Sequence, residues 1–128
     1  MNFPTDIKYA KSHEWARVEG STATIGISDF AQSELGDVVF VDISASVGDE
    51  LKAGEVFGTI EAVKTVSDLY MPVGGTITEI NQTIIDSPET INSDAFGEGW
   101  MIKIDVSGEE NSALMDAAAY SDMVGQGH

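Results

Sequence analysis

Short apolar alternations separated by turn residues run through most of this chain. Residues 14–18, EWARV, alternate and are rich in strand formers; EGST supplies turn chemistry, and residues 23–27, ATIGI, alternate again. This predicts a β-hairpin with Ala23, Ile25 and Ile27 on its inward face. Residues 37–43, DVVFVDI, predict a strand with Val39, Val41 and Ile43 on one face. Val38 and Phe40 fall on the other, and the run is apolar enough for both faces to be covered. Strand patterns recur in VFGTIEAV (56–63), in DLYMPVGGTITEI (68–80) and in WMIKIDV (100–106). Gly48 and Gly54 bracket a short extended piece, and Gly74-Gly75 marks a tight turn before TITEI.

Helical signals are brief. Ser28 reads as an N-cap for DFAQSEL, with Phe30, Ala31 and Leu35 facing the core and Gly36 as the stop. Residues 81–92 read as a loop with one helical turn, capped by Ser87 with Pro88 at its first position. Residues 92–99 form a polar loop. The segment at about 109–124 is helical in composition, and Asp116 is placed to cap its second piece. Residues 1–13 read as an irregular lead-in, and 125–128 as a fraying end. Closely spaced short strands with small helices predict a barrel or sandwich. The loose similarity on either side of residue 64 suggests two half-sheets joined by a hairpin there.

Composition narrows the function more than the fold. The 128 residues are 42% hydrophobic, which suits one domain with its own core. No apolar run approaches a bilayer span, and the first residues show neither a secretory h-region nor a transit-peptide pattern. The expected location is therefore cytoplasmic. Six basic residues against twenty-two acidic ones give a formal charge of −16. Such a field repels phosphate backbones and anionic surfaces, so neither nucleic acid nor membrane is an expected partner. With no cysteine, disulfides, thiolate metal sites and a cysteine nucleophile are all excluded.

The search for a catalytic constellation is negative. The histidines are His13 and the terminal His128. A lone His13 near a strand start reads first as a surface or packing residue. There is no nucleophile elbow, no metal-ligand spacing of histidines, and no glycine loop opening a helix. Lys64 is the exception in combination. It lies between two apolar strand patterns with no glycine or proline of its own, flanked by the stiff Val63, Thr65 and Val66. Glu61 precedes it by three positions and Asp68 follows by four. Taken alone, a lysine at a strand junction is an ordinary solvated charge.

The segment GTIEAVKTVSDLYMPVGG resembles the modified-lysine hairpin of lipoyl and biotinyl domains. Within that superfamily the chain is similar to the glycine cleavage H-protein family. The resemblance runs through KYAKSHEWARVEG, ATIGISDFAQSELGDVVFVDI, LKAGEVFGTIEAVKTVSDLYMPVGGTITEIN, INSDAFGEGWMIKI and LMDAAAY, in that order. It implies a mainly β fold, a flattened barrel-sandwich hybrid with short helices added at the N-terminal side and the C-terminus. It implies one carrier domain over residues 1–128, with its core at about 14–106. It also implies lipoate, amide-linked to Lys64, rather than biotin, whose domains usually place methionines on both sides of the lysine. The chemistry then belongs to the cofactor and to partner enzymes, and the chain itself is not an enzyme.

The implied role is to carry an aminomethyl group from glycine decarboxylase to the aminomethyltransferase, with reoxidation by dihydrolipoyl dehydrogenase. A relay passing lipoate to other lipoyl enzymes is the alternative. Lipoate-attaching enzymes are implied partners, and Glu61 and Asp68 are candidates for their recognition. Ser12, Glu14 and Asp68 are candidate lining residues of a cleft in which the loaded arm is shielded. The chain departs from the commonest hairpin at Ala62, Thr65, Val66, Met71 and Gly74.

Overall fold

A computed structural model describes residues 7–10, 13–28, 36–106 and 115–124. The strands are β1 (Lys8–Tyr9), β2 (Glu14–Glu19), β3 (Thr22–Ile27), β4 (Val38–Asp42) and β5 (Glu50–Leu51). They continue with β6 (Val56–Ala62), β7 (Val66–Tyr70), β8 (Gly75–Ile80) and β9 (Ile102–Val106). Helices α1 (Gln82–Asp86) and α2 (Glu89–Ser93) lie between β8 and β9, and α3 (Ala117–Val124) follows β9.

The fold is mainly β and consists of two antiparallel sheets that do not close into a barrel. One sheet has six strands in the order β1-β2-β3-β9-β8-β5, and the other has three, β4-β6-β7. Their inner faces share one core. Ile25, Ile77, Ile102 and Ile104 from the large sheet meet Val41, Phe57, Ile60 and Leu69 from the small one. Ile84 of α1 and Ile91 of α2 complete that core. A second cluster gathers Ile7, Tyr9, Trp15, Ala117 and Tyr120, with Phe96, Trp100 and Met115 against it. That cluster fixes α3 and β1 to the outer side of the large sheet's β2 end.

Several sequence expectations hold. The first hairpin pairs Glu14 with Ile27 through Glu19 with Thr22, and Ala23, Ile25 and Ile27 are buried. Gly48 and Gly54 adopt φ of 98° and 89°, in the left-handed region where glycine carries no Cβ penalty. Asp116 accepts a hydrogen bond from the Ala119 amide at 2.9 Å, capping α3. The proposed 29–35 helix, with Phe30, Ala31 and Leu35, lies outside the described residues, as do 109–114 and 125–128.

Others are corrected. Residues 8–9 form a strand where an irregular lead-in was expected, because Tyr9 pairs with Trp15 and with Met115. In β4 the strict alternation fails. Val38 and Val41 are buried, while Val39 and Phe40 are 55% and 51% exposed. The pairing with β6 shifts register between Val38 and Phe40, so a bulge turns both side chains outward. Asn92 fixes that point: its carboxamide accepts from the Val38 amide at 2.8 Å and donates to the Val38 carbonyl at 3.3 Å.

Residues 81–93 form two short helices rather than one turn. Asn81 caps α1 by accepting from the Thr83 amide, and the Ser87 amide closes the same helix on the Thr83 carbonyl. Ser87 thus ends α1, and Pro88 is the residue that leads into α2. Gly75 is the first residue of β8, paired with Leu51 and Val106, and not in a tight turn. Its requirement is close approach, since a Cβ there would run into the Asp105 carbonyl. The hairpin around Lys64 joins two strands of the same three-stranded sheet, so it does not link two half-sheets.

Candidate functional site

Lys64 is exposed at the end of the β6–β7 hairpin. No glycine bends the chain there; the scaffold holds it. The Ala62 amide donates to the Thr65 carbonyl at 2.9 Å, closing the turn. The Val63 amide donates to the Asp37 carbonyl at 3.0 Å, pinning the tip to the segment that enters β4. Next to Asp37 lies Gly36, with φ of 86°. The Lys64 stem passes over it: a Cβ on Gly36 would be 3.3 Å from the Lys64 Cγ and 3.6 Å from its Cδ. The amine is thus carried outward on a stem that has backbone beneath it.

The residues predicted around Lys64 occupy distinct places. Glu61 lies on the outer face of the small sheet, between Phe40 and Val66 in register. With Asp42 and Thr59 these residues line an open groove of about 300 Å³. Asp68 is exposed and pairs with Thr59, so the Asp42, Thr59 and Asp68 positions form the next row. Five carboxylate and apolar side chains therefore flank the tip on one surface: Asp42, Glu61 and Asp68 with Phe40 and Val66. Glu14 is elsewhere. It is 1% exposed and its carboxylate accepts from the Tyr70 amide at 3.1 Å. Tyr70 ends β7, an edge strand, so Glu14 occupies an outward-facing donor of that edge. Ser12 lies outside the described residues. Of the hairpin departures, Ala62, Met71 and Gly74 are buried, and Thr65 and Val66 are exposed.

One cluster had no signal in the sequence. The Tyr120 hydroxyl lies 2.6 Å from the Ser28 Oγ and 2.7 Å from the His13 Nδ1. Burial, opposed by the Ser28 hydrogen bond and reinforced by the Glu14 charge, pushes Tyr120 up to about 12. His13 is half-buried, as a packing residue would be, and has φ of 78°. These residues are 107 and 92 positions apart from Tyr120, beyond the reach of any spacing rule. Among the described residues, no group of His, Asp and Glu is placed to hold a metal ion, and no helix is long and apolar enough to cross a membrane.

Comparison with known proteins decides the family. The family model described as glycine cleavage H-protein matches residues 7–127. The chain belongs to the glycine cleavage H-protein family. It is 54% identical to the glycine cleavage system H protein of Chlorobium phaeovibrioides, covering 98% of this chain and 99% of that one. It is 55% identical to the H protein of Salinibacter ruber, over 96% and 99% of the two chains. A crystal structure of a glycine cleavage system H protein from Mycobacterium marinum superposes with a TM-score of 0.86 at 37% identity, covering 96% of this chain and 99% of that one. The family is the lipoyl-carrier component of the glycine cleavage system.

Proposed function

We propose that Lys64 is the attachment point of lipoate, and that residues 1–128 act as one carrier domain in the cytoplasm. The observation that carries this reading is the exposed Lys64 at a hairpin tip fixed by Asp37 and Thr65, with its stem laid over Gly36. That geometry fits an amide-linked acyl group. The amine is accessible to a modifying enzyme, and the turn is rigid enough to give the arm a defined origin. Lys64 would hold lipoate through a side-chain amide, and the bound dithiolane would supply the redox-active sulfurs for carrying an aminomethyl group between glycine decarboxylase and the aminomethyltransferase, with dihydrolipoyl dehydrogenase as the reoxidising partner.

The chain's own residues supply place and shielding. Glu61 and Asp68, on the outer face beside the tip, present carboxylates to a lipoate-attaching enzyme. Glu14 lies at the far end of β7. From Val66 to Tyr70 the strand advances on the order of 13 Å, at ~3.3 Å per residue. A lysine stem extended by an eight-carbon acyl chain covers a distance of that order. The Glu14 position therefore lies at a distance the arm spans, and its buried carboxylate is a counter-charge for an ammonium held beside it; Ser12 and Asp68 are the other lining candidates carried over from the family resemblance. Excluding water there slows hydrolysis of the adduct.

Intact-mass measurement of protein expressed in a lipoylation-competent cell tests the assignment. The expected result is one lipoyl adduct, mapped by peptide fragmentation to Lys64. A chain that stays unmodified, or carries biotin, overturns it. Incubation of the lipoylated protein with the decarboxylase and labelled bicarbonate then separates the two lipoyl roles. Exchange of label into glycine supports the aminomethyl carrier, and its absence supports a lipoate relay.

A further inference from the structure

We propose that Tyr120 is a positioning residue for Glu14, so that helix α3 governs how long a carried group survives on the arm. This inference rests on the carrier reading above. Glu14 is a nearly fully buried carboxylate, and burial of such a group is tolerated when its surroundings fix it. Its backbone is held at the β1–β2 turn, where the Glu14 carbonyl accepts from the Ala10 amide at 2.8 Å. The preceding residue, His13, occupies the left-handed region, which is uncommon for a residue with a Cβ.

Three contacts impose that conformation. The His13 amide donates to the Ala10 carbonyl at 2.9 Å, and the His13 carbonyl accepts from the Ser28 amide at 2.8 Å. The imidazole Nδ1 is 2.7 Å from the Tyr120 hydroxyl, which is itself 2.6 Å from the Ser28 Oγ. A phenol has one proton and an oxygen that also accepts, so Tyr120 donates to at most one of these partners and accepts from the other or from both. The hydroxyl therefore clamps both sides of the turn that aims Glu14 at the Tyr70 amide. The fold has other means of attaching α3. Tyr120 stacks on Tyr9 at 4.5 Å between ring centroids, and Met115 pairs with Tyr9 through two backbone hydrogen bonds. The ring anchors the helix, which leaves the hydroxyl to set the turn.

Tyr120→Phe keeps the ring and removes the hydroxyl. In the unmodified chain, amide hydrogen exchange at Tyr70 is expected to accelerate about fivefold in Tyr120→Phe, while exchange at Ile104 in the large sheet stays at the wild-type rate. In the lipoylated chain loaded from labelled glycine, release of the carried group is followed after the enzymes are removed. Water converts the S–CH2–NH3+ group to thiol, formaldehyde and ammonium: the C–S and C–N bonds break, the water oxygen becomes the formaldehyde oxygen, its protons go to sulfur and nitrogen, and there is no net oxidation. Release is expected to be about fivefold faster in Tyr120→Phe. Adding Glu14→Gln to Tyr120→Phe is expected to give no more than Glu14→Gln alone, because both act through one carboxylate. Ser28→Ala should reproduce the Tyr120→Phe effect.

Unchanged Tyr70 exchange in Tyr120→Phe overturns the proposal, as do additive effects on release. If Glu14→Gln leaves release unchanged while Tyr120→Phe accelerates Tyr70 exchange, the positioning holds and the shielding role assigned to Glu14 fails. If the wild-type chain takes no lipoate, the carrier reading fails, and Tyr70 exchange still decides the link between Tyr120 and Glu14.

Discussion

A Cβ on Gly36 would stand 3.3 Å from the Cγ of Lys64, so the stem of the exposed lysine rests on bare backbone. The Gly36 φ of 86° is also one that glycine adopts without penalty. Gly36→Ala carries both costs. Its left-handed backbone costs roughly 1–2 kcal/mol, and the new methyl displaces the lysine stem. The expected outcome is a lowered urea midpoint together with slower attachment of lipoate by a purified ligase. Gly36→Asn tolerates the backbone better, so it should recover part of the stability and leave the modification slow. Equal modification rates in all three chains would show that the stem is not steered by this contact.

Lys64→Arg tests the site from the other side. Arginine keeps the charge and a long stem but offers no amine for a lipoyl amide. The side chain is exposed, so the variant should unfold within ~0.5 kcal/mol of the wild type. It should show no lipoyl mass and no decarboxylase-dependent exchange of bicarbonate into glycine. Exchange at the wild-type rate would contradict the assignment.

The bulge in β4 has a measurable signature. Phe40 is large and apolar, and in an unbroken strand it would be expected to anchor a face. Instead it is half-exposed beside Glu61, while Ile60 of the neighbouring strand is 1% exposed in the shared core. Phe40→Ala should therefore cost less than about 1 kcal/mol, and Ile60→Ala about 2–5 kcal/mol. Chemical denaturation of both variants checks this ordering. A Phe40→Ala cost matching that of Ile60→Ala would place Phe40 in the core.

These contrasts show what a chain of this kind discloses before it folds. The first hairpin was legible because Ala23, Ile25 and Ile27 alternate between clear turn residues, and burial follows that period. Lys64 was legible because its neighbours are stiff and apolar and the turn lacks a glycine. The exposure of Val39 and Phe40 was not, because a bulge is set by a partner strand and by Asn92, which lies 54 positions away. The Asn81 cap was missed because Ser87 and Pro88 carry the stronger local signal, whereas the Asn81 carboxamide is held by the Glu98 and Trp100 carbonyls at 3.0 and 2.7 Å. Likewise Tyr120 gave no hint of a role, since its partners His13 and Ser28 flank β2 and β3, 107 and 92 positions away. Side-chain hydrogen bonds across such separations leave no periodicity.

Gly58 offers a further test of the small sheet. It lies at the register shift between β6 and β7, and a Cβ there would be 2.5 Å from the Asp42 carbonyl oxygen. That contact is backbone, so it cannot be relieved by a rotamer change. Gly58→Ala must push β4 away from β6 and is expected to cost about 1–3 kcal/mol. Because the same three strands carry the hairpin, the variant should also slow attachment of lipoate at Lys64. A variant as stable as the wild type would mean that β4 shifts freely.

Tyr120 predicts a pH dependence whose sign is fixed by its environment. Its ordinary value is near 10, and burial pushes it up to about 12 in the folded chain. Below pH 10 the phenol is protonated in both states, and its contribution to stability is fully present. Between about 10 and 12 the unfolded chain loses the proton while the folded chain keeps it. The unfolded state then binds fewer protons, so unfolding free energy falls as pH rises through that window. Tyr120→Phe has no phenol proton to lose. Urea midpoints measured at pH 9 and pH 11 should therefore fall more for the wild type than for Tyr120→Phe. Parallel falls would mean that the hydroxyl is not held in a desolvated pocket with His13 and Ser28.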